Sequence, residues 1–299
     1  MVNKRKKRNT SYIKEGFWSK AFDVFNIITL LVICFVMAYP LYYILVLSFN
    51  EGIDAYQGGI FLWPRKFTFD NYLVAFTNPQ LASSFLVTIG RTLLGTVVSV
   101  FFIALMSYAL SHKNLPGKRW ITKYFFFTTL FNAGAIPMLL LIRDLDLLDR
   151  FMVYILPAVY GFINMLIVKI TFDGIPHEVR ESAQIDGAGE FTIFIKIYLP
   201  LAKSSIVTIA LFTAVFHWND WYAGKYYVSD PFLKPAATIL QEMITSSAGS
   251  SMYLSGHTTT TSQTLQAAFV VIIMFPILLI YPWAQKYFVK GAIVGSIKE

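Results

Sequence analysis

The chain has 299 residues, of which 56% are hydrophobic and 14% are charged, and its mean hydropathy is +0.56. A soluble domain carries about 25% charged residues, so this composition excludes a single soluble core of ordinary size and indicates a membrane protein. The net charge of +8 does not by itself indicate a nucleic-acid partner, because the basic residues lie beside apolar segments.

Six segments are long and apolar enough to cross a bilayer, which takes about 20 apolar residues in a helix. These segments are 25–48, 84–111, 121–142, 151–172, 201–221 and 265–284. Lipid offers no partner for backbone N–H and C=O groups, so helices are the expected form. The sequence predicts an all-α integral membrane protein with six transmembrane helices in a domain at 25–284. A basic N-tail (1–24) precedes this domain and a C-tail (285–299) follows it.

The basic residues predict the orientation. With both termini inside, the inner segments hold 18 Lys and Arg residues and the outer segments hold six. Because basic residues are enriched on the cytoplasmic side, we expect an N-in and C-in topology. A loop at about 173–200 is then cytoplasmic and a loop at about 222–264 lies outside. The outer loop is rich in Ser, Thr and Gly, which fits either a flexible linker or an ordered outer element that contacts a partner.

Signatures of catalysis and of metal binding do not occur in the sequence. The four histidines lack metal-ligand spacing, and there is no H-E-x-x-H, G-x-S-x-G or G-x-x-x-x-G-K-[ST] motif. Arg91 is the one clear charge inside a span, and Asp220 lies near the outer end of another. Arg91 could extend its side chain to the outer interface. We therefore expect this chain not to be an enzyme and to bind no metal or cofactor.

The polar stretch "ESAQIDGAGEFTIFIKIYLP" (181–200) stands between two apolar runs. Pro176 fits the first position of a short helix, and Gly187 fits its C′ position, where a positive φ is favoured. The stretch "EFTIFIKIY" predicts a second short helix, and Pro200 marks the turn into the next span. One face of the first helix would carry Val179, Ser182, Ala183 and Asp186. This helix–turn–helix with a small-residue face is suited to docking.

The same stretch resembles a family signature. Glu181, Ser182 and Ala183 are followed after three residues by Gly187, and after nine more by "IYLP". This spacing closely resembles the E-A-A-x3-G-x9-I-x-L-P signature of membrane subunits of ABC importers, with Ser182 in place of the usual second Ala. The "DGA" at 186–188 resembles the maltose-type, carbohydrate-uptake branch, as do "NAGAIPMLLLIRDLDLLDR", "FHWNDWYAG" and "KYFVKGAIVGSIKE".

The resemblance implies an ABC importer permease fold in a bacterial cytoplasmic membrane. It also implies a second permease subunit, two ATPase subunits that bind ATP and Mg, and an external sugar-binding protein that touches the outer loop. The coupling loop at about 173–200 would sit in an ATPase cleft. The residues that the resemblance assigns to ATPase coupling are Glu181, Ser182, Ala183, Asp186, Gly187 and Pro200.

Polar and amphipathic residues near the spans are candidates for the substrate pathway, although packing or interfacial roles explain them equally. They are Asn132, Tyr160, Asn164, Asn219 and Asp220. The sequence does not specify the sugar. Three other classes stay open: a secondary, ion-coupled solute transporter, a membrane scaffold or assembly protein, and an integral-membrane enzyme. Co-purification of an ATPase would separate an importer subunit from the first two.

Overall fold

The computed structural model describes residues 17–131, 133–245, 253–254 and 259–296. The helices are α1 (Phe17–Ser48), α2 (Gly52–Tyr56), α3 (Asp70–Thr77), α4 (Pro79–Ser111), α5 (Lys118–Leu130), α6 (Ala135–Asp144), α7 (Phe162–Asp173), α8 (His177–Ile185), α9 (Glu190–Ile193), α10 (Leu199–Leu201), α11 (Lys203–Asn219), α12 (Tyr222–Tyr227), α13 (Ala236–Thr245) and α14 (Ser262–Ser296). Short 3-10 turns occupy Phe151–Tyr154, Leu156–Ala158 and Pro231–Leu233, and a π-helical turn, Phe194–Tyr198, joins α9 to α10. No strand forms within these residues, and the all-α prediction is confirmed.

Three helices are long and apolar enough to cross a membrane alone: Trp18–Ser48, Pro79–Ser111 and Ser262–Ile280. Up to three more spans arise if each of three broken helix pairs is one span. These pairs are Lys118–Leu130 with Ala135–Asp144, Phe151–Ala158 with Phe162–Asp173 (bent by 50°), and Glu190–Leu201 with Lys203–Asn219 (bent by 85°). The count of six therefore stays a prediction. The domain boundary at 284/285 coincides with no helix end, since α14 continues to Ser296.

Helix α4 lies at the centre and packs against α3, α7, α11 and α13. It begins sharply because the Asn78 side chain accepts hydrogen bonds from the backbone N–H groups of Gln80 and Leu81 (3.0 and 3.3 Å). One buried stripe runs along it at spacings of three and four residues: Ser84, Thr88, Arg91, Gly95, Ser99, Ile103 and Ser107. Mostly small side chains in this stripe let neighbouring helices approach closely.

The described part of the outer loop is ordered. Helix α13 buries Ala236, Ile239 and Met243 against α4 and α14, and the Ala236 N–H donates to Thr88 Oγ1 (2.8 Å). The flexible-linker alternative is therefore wrong for α13, because its apolar face is part of the core. Residues 246–252 and 255–258 lie outside the described residues.

Candidate translocation cavity and coupling segment

A cavity of about 430 Å³ opens between α6, α7, α11 and α12 and the 3-10 turns that precede α7. Six of its lining residues are aromatic: Tyr154, Tyr160, Phe212, Phe216, Tyr222 and Tyr227. Its polar side chains include those of Asn164, Thr213 and Asp220. Aromatic walls with a few placed polar groups are typical of small-molecule sites.

Three of the five predicted pathway residues meet at this cavity: Tyr160, Asn164 and Asp220. Asn219 is exposed, lies outside the lining, and donates its side-chain amide to the Val215 carbonyl (3.0 Å). Asn132 lies outside the described residues. Whether any of the five touches substrate stays a prediction.

Arg91 holds Asp220 at the cavity wall. Arg91 Nη2 lies 2.6 Å from Asp220 Oδ2, and Nη1 donates to the Asp220 carbonyl oxygen (2.9 Å). The Arg91 side chain is 1% exposed, and its guanidinium carbon lies 4.5 Å from the ring centre of Tyr154. The expectation that Arg91 extends to the interface is therefore wrong. Because Arg91 pairs with Asp220, its charge is not isolated in an apolar environment, where an unpaired charge is costly.

Gly95 controls how closely α4 and α11 approach. A Cβ on Gly95 would lie 2.4 Å from Nε2 of His217, which is itself buried. Heavy atoms cannot come this close, so only glycine lets His217 pack here. The approach brings Asp220, three residues beyond His217, within reach of Arg91.

The coupling segment, which is the predicted coupling loop at about 173–200, contains the short helix that Pro176 and Gly187 predicted. Gly187 has φ +83°, its N–H donates to the Gln184 carbonyl (3.0 Å), and the Ala188 N–H donates to the Ala183 carbonyl (2.9 Å). This pair of bonds is the Schellman motif, so the predicted positive φ at Gly187 is confirmed. Helix α8 begins at His177, with Pro176 at the N-cap, one residue later than predicted.

The outward face of α8 differs from the predicted small-residue face. Glu181, Ser182 and Asp186 are exposed as expected, whereas Ala183 packs against the buried core next to α4. Ile185 is 86% exposed and lies on the outward face of α8. The reason is geometric: one side of a short surface helix must cover the core, and Ala183 lies on that side. Gly187 is also exposed.

Glu190, which the sequence reasoning missed, ties α8 to α4. Its Oε1 accepts from Arg180 Nη2 (2.6 Å) and Gln184 Nε2 (2.9 Å) of α8, and its Oε2 accepts from the Tyr108 hydroxyl (2.5 Å) of α4. His112 Nε2 lies 3.3 Å from the same Oε2. An acid at the start of the second short helix was visible in the sequence, but its partners up to 82 residues away were not.

The charge state of this cluster follows from its contacts. The hydrogen bond from Arg180 lowers the pKa of Glu190 to about 2, against the effect of its partial burial. Burial, and next the charge of Arg180, lower the pKa of His112. At neutral pH the cluster therefore pairs a charged Glu190 with a charged Arg180 beside a neutral imidazole.

Pro200 lies in α10, three residues before α11 begins. The bend of 85° between Glu190–Leu201 and Lys203–Asn219 falls at Ala202, whose φ and ψ of −94° and 17° are not helical. Pro200 therefore precedes the turn into the span, as predicted. The role of all six predicted coupling residues in ATPase contact stays a prediction.

Known proteins resemble the chain over almost its whole length. Protein LplC of Bacillus subtilis (strain 168) is 35% identical and aligns with 93% of this chain and 95% of its own. The polygalacturonan/rhamnogalacturonan transport system permease protein YtcP of the same strain is 34% identical, with 94% and 99% covered. A chain in the crystal structure of a bacterial ABC transporter involved in the import of the acidic polysaccharide alginate matches with a TM-score of 0.83 and 30% identity, covering 91% of this chain and 98% of that one.

The chain belongs to the family of sugar ABC importer permeases. No protein-family model matches it. The resemblance found in the coupling signature is thus confirmed, and the ion-coupled alternative is not supported. Its relatives are transporter subunits rather than enzymes, and this permease is a multi-pass membrane protein.

Proposed function

We propose that this permease forms half of the path of an ATP-driven importer in the cytoplasmic membrane, with both termini inside. It accepts a sugar or oligosaccharide from an external binding protein and passes it through the aromatic cavity, together with a second permease subunit. Two partner ATPase subunits bind ATP and Mg and drive the cycle through the coupling segment. Co-purification of those subunits with a tagged permease tests this assembly.

One observation carries the proposal: α4 contacts both sites. Its Arg91 holds Asp220 at the cavity, its Ile103 lines the cavity, and its Tyr108 bonds Glu190 of the coupling segment. Arg91 and Tyr108 are 17 residues apart, which is about 26 Å along a helix at 1.5 Å per residue. A displacement of α8 by an ATPase therefore has a continuous helical route to the cavity.

The outward face of α8 offers a mixed contact surface for the ATPase. It presents the acid Glu181 and the apolar Ile185. An apolar side chain that becomes buried at an interface contributes about 1.5–3 kcal/mol, and an acid beside it selects a basic partner surface. Glu181, Ser182, Asp186 and Gly187 are the residues proposed to touch the ATPase, while Ala183 and Pro200 position them.

The cavity wall suits a sugar ring because aromatic faces pack on the apolar faces of the ring while Asn164 and Asp220 offer hydrogen bonds to hydroxyl groups. YtcP is named for polygalacturonan transport, so oligogalacturonides belong among the sugars to be tested. The experiment reconstitutes the complete importer in proteoliposomes and measures uptake of labelled oligosaccharides. Tyr160→Ala should lower uptake at least severalfold and leave ATPase binding intact.

A matched control is available in Tyr124→Ala, because Tyr124 is a tyrosine of α5 that is 65% exposed and does not line the cavity. Equal uptake by wild type and Tyr160→Ala for every sugar carried would refute the assignment of the cavity to the pathway. Failure of any ATPase to co-purify with the tagged permease would refute the proposed function as a whole.

A further inference from the structure

A second cleft, of about 580 Å³, lies between α5 and α7 and shares no lining residue with the translocation cavity. Its basic lining residues are Lys118, Arg119 and Lys123 of α5 and Lys169 of α7. The proposed mechanism does not use it. Four cations around one cleft repel one another, so a negatively charged group bound among them would stabilise the cleft.

The chain itself balances only part of this charge. Lys169 pairs with Asp173 (2.5 Å). Lys118 donates to the His112 carbonyl (3.3 Å), which uses one of its three N–H donors, and Lys123 lies 5.0 Å from the ring centre of Trp120. The Arg119 side chain makes no hydrogen bond or ion pair with any described residue. With Asp173 counted, the cleft carries a net charge of +3.

Apart from these cations and Thr122, the lining of the cleft is apolar. Phe126 and Phe162 also line it, with ring centres 5.7 Å apart. Helix α5 buries none of its residues within the described part of the chain, and the side chains that continue from the cleft, such as Phe127, are exposed. The cleft thus joins a cationic rim to an apolar surface.

We propose that this cleft binds an anionic phospholipid, with the headgroup phosphate at Lys118, Arg119 and Lys123 and an acyl chain along Phe126 and Phe162. Basic pockets between transmembrane helices on the cytoplasmic side favour such headgroups. A soluble anion would satisfy the cations but leave both rings uncovered. The proposal rests on the proposed topology, which places the start of α5 at the cytoplasmic surface, where anionic lipid is concentrated.

The test measures lipid retention by the complete importer complex. The complex is purified in detergent, exposed to mixed phosphatidylcholine and phosphatidylglycerol micelles, and analysed by native mass spectrometry. The test variants are Arg119→Gln, which loses no side-chain hydrogen bond or ion pair to a described residue, and the triple variant Lys118→Gln, Arg119→Gln, Lys123→Gln. The control triple, Lys20→Gln, Lys113→Gln, Lys203→Gln, removes the same charge from exposed residues outside the cleft.

We expect Arg119→Gln to lower phosphatidylglycerol affinity about fivefold, since one basic residue near the membrane surface contributes about 1 kcal/mol. The cleft triple should lose retention, and the control triple should keep it. Displacement of the lipid by millimolar inorganic phosphate would overturn the proposal in favour of a soluble-anion site. Equal retention by both triples, or no retention by the wild type because a partner subunit fills the cleft, would also overturn it. The readout needs neither ATP nor sugar, so a failure here leaves the proposed transport function standing.

Discussion

Arg91 and Asp220 are 129 residues apart in the chain, yet their pairing determines the wall of the translocation cavity. The guanidinium meets both the carboxylate and the backbone carbonyl of Asp220, a two-pronged contact that a lysine cannot reproduce. The carboxylate also accepts the Tyr222 N–H (3.0 Å). One side chain of α4 therefore fixes both the end of α11 and the start of α12.

Removing either charge alone should destabilise the permease more than removing both. Asp220→Asn leaves Arg91 buried without a counter-charge, and breaking a buried pair costs about 3–5 kcal/mol. We expect the thermal midpoint of the detergent-solubilised complex to fall by roughly 10 °C. The double variant Arg91→Met, Asp220→Asn should recover part of this loss. Purely additive effects of the two single changes would contradict the pairing.

Gly187 and Gly189 provide a matched test of the turn after α8. Among the described residues, no atom beyond the chain neighbours would lie within 4 Å of a Cβ at either position, but Gly187 has φ +83° and Gly189 has φ −72°. Valine at 187 should strain the turn by roughly 1–2 kcal/mol, and its bulk should also obstruct the ATPase surface. We expect Gly187→Val to reach the membrane in normal amount but to lose uptake and ATPase retention, whereas Gly189→Val keeps its turn geometry. Equal activity of the two variants would refute the role of the turn.

Charge reversal at Glu181 tests the docking surface itself. Glu181 is exposed, so Glu181→Lys should not affect folding of the permease. A positive charge facing a basic partner surface becomes unfavourable once the interface excludes water, and we expect ATPase retention to fall at least tenfold. Glu181→Gln should have a smaller effect. Reconstitution that measures ATPase retention and uptake together checks both, and full retention by Glu181→Lys would contradict the docking assignment.

At the scale of elements, Glu190 links α8 to α4 through hydrogen bonds from both helices. We expect Glu190→Ala to raise hydrogen exchange at the backbone amides of α8 and to lower sugar uptake per ATP hydrolysed, because Arg180, Gln184 and Tyr108 lose a common acceptor. Asp144 is an exposed acid that precedes Glu190 by 46 residues, so Asp144→Asn should change neither the hydrogen exchange of α8 nor the uptake per ATP. Unaltered exchange in Glu190→Ala would show that α8 is held by other contacts.

The pH dependence of this link follows from the lowered pKa of Glu190. A carboxylate whose pKa is lowered by folding stabilises the folded state. This stabilisation is complete above the ordinary glutamate pKa of 4.5 and is lost as the pH falls toward the pKa of about 2 in the folded protein. Protection of α8, corrected for intrinsic exchange, should therefore be insensitive to Glu190 ionisation between pH 5 and pH 8. It should fall below about pH 4.5, and Glu190→Gln should remove that acid-dependent step. A wild-type step near neutral pH that this variant abolishes would contradict the assignment.

The sequence predicts those structural features that are formed by residues close together in the chain. Apolar length predicts helices, and a glycine after a short polar helix predicts the positive φ of Gly187, because the Schellman bonds join residues only three to five apart. Distant pairings have no such signal. The partner of Arg91 and the hydrogen-bond donors around Glu190 depend on how α4 packs against the rest of the chain, and Ala183 turns inward for the same reason.

At the scale of the whole molecule, the basic asymmetry predicts which side each loop faces. Cys34 is the one cysteine of the chain, so Cys34→Ser gives a background for single reporter cysteines. We expect a cysteine at Ser229 to react with an impermeant maleimide added outside intact cells. A cysteine at Lys113 should react only after the membrane is opened. The reverse labelling pattern would overturn the N-in and C-in topology.

The outer segment between α13 and α14 is proposed to contact the binding protein. Its two ends are fixed on the permease: Met243 is buried, and Thr259 accepts the Gly52 N–H through its carbonyl (2.7 Å) and donates its hydroxyl to Asp70 (2.8 Å). Residues 246–252 and 255–258, outside the described residues, lie between these anchors in the chain. A segment held at both ends can transmit contact with an external protein to α13, which packs on α4.

Deletion of residues 246–252, which keeps the buried Tyr253 in place, should therefore leave assembly with the partner subunits intact but reduce both uptake and the stimulation of ATP turnover by the binding protein. Replacing the same residues by a glycine-serine stretch of equal length separates loss of specific contacts from strain between the anchors, because the replacement keeps the connection. Both variants should lower stimulation, and basal ATP turnover should stay unchanged, since the coupling segment is untouched. Normal stimulation in a correctly assembled complex of either variant would place the binding-protein contact elsewhere on the outer surface.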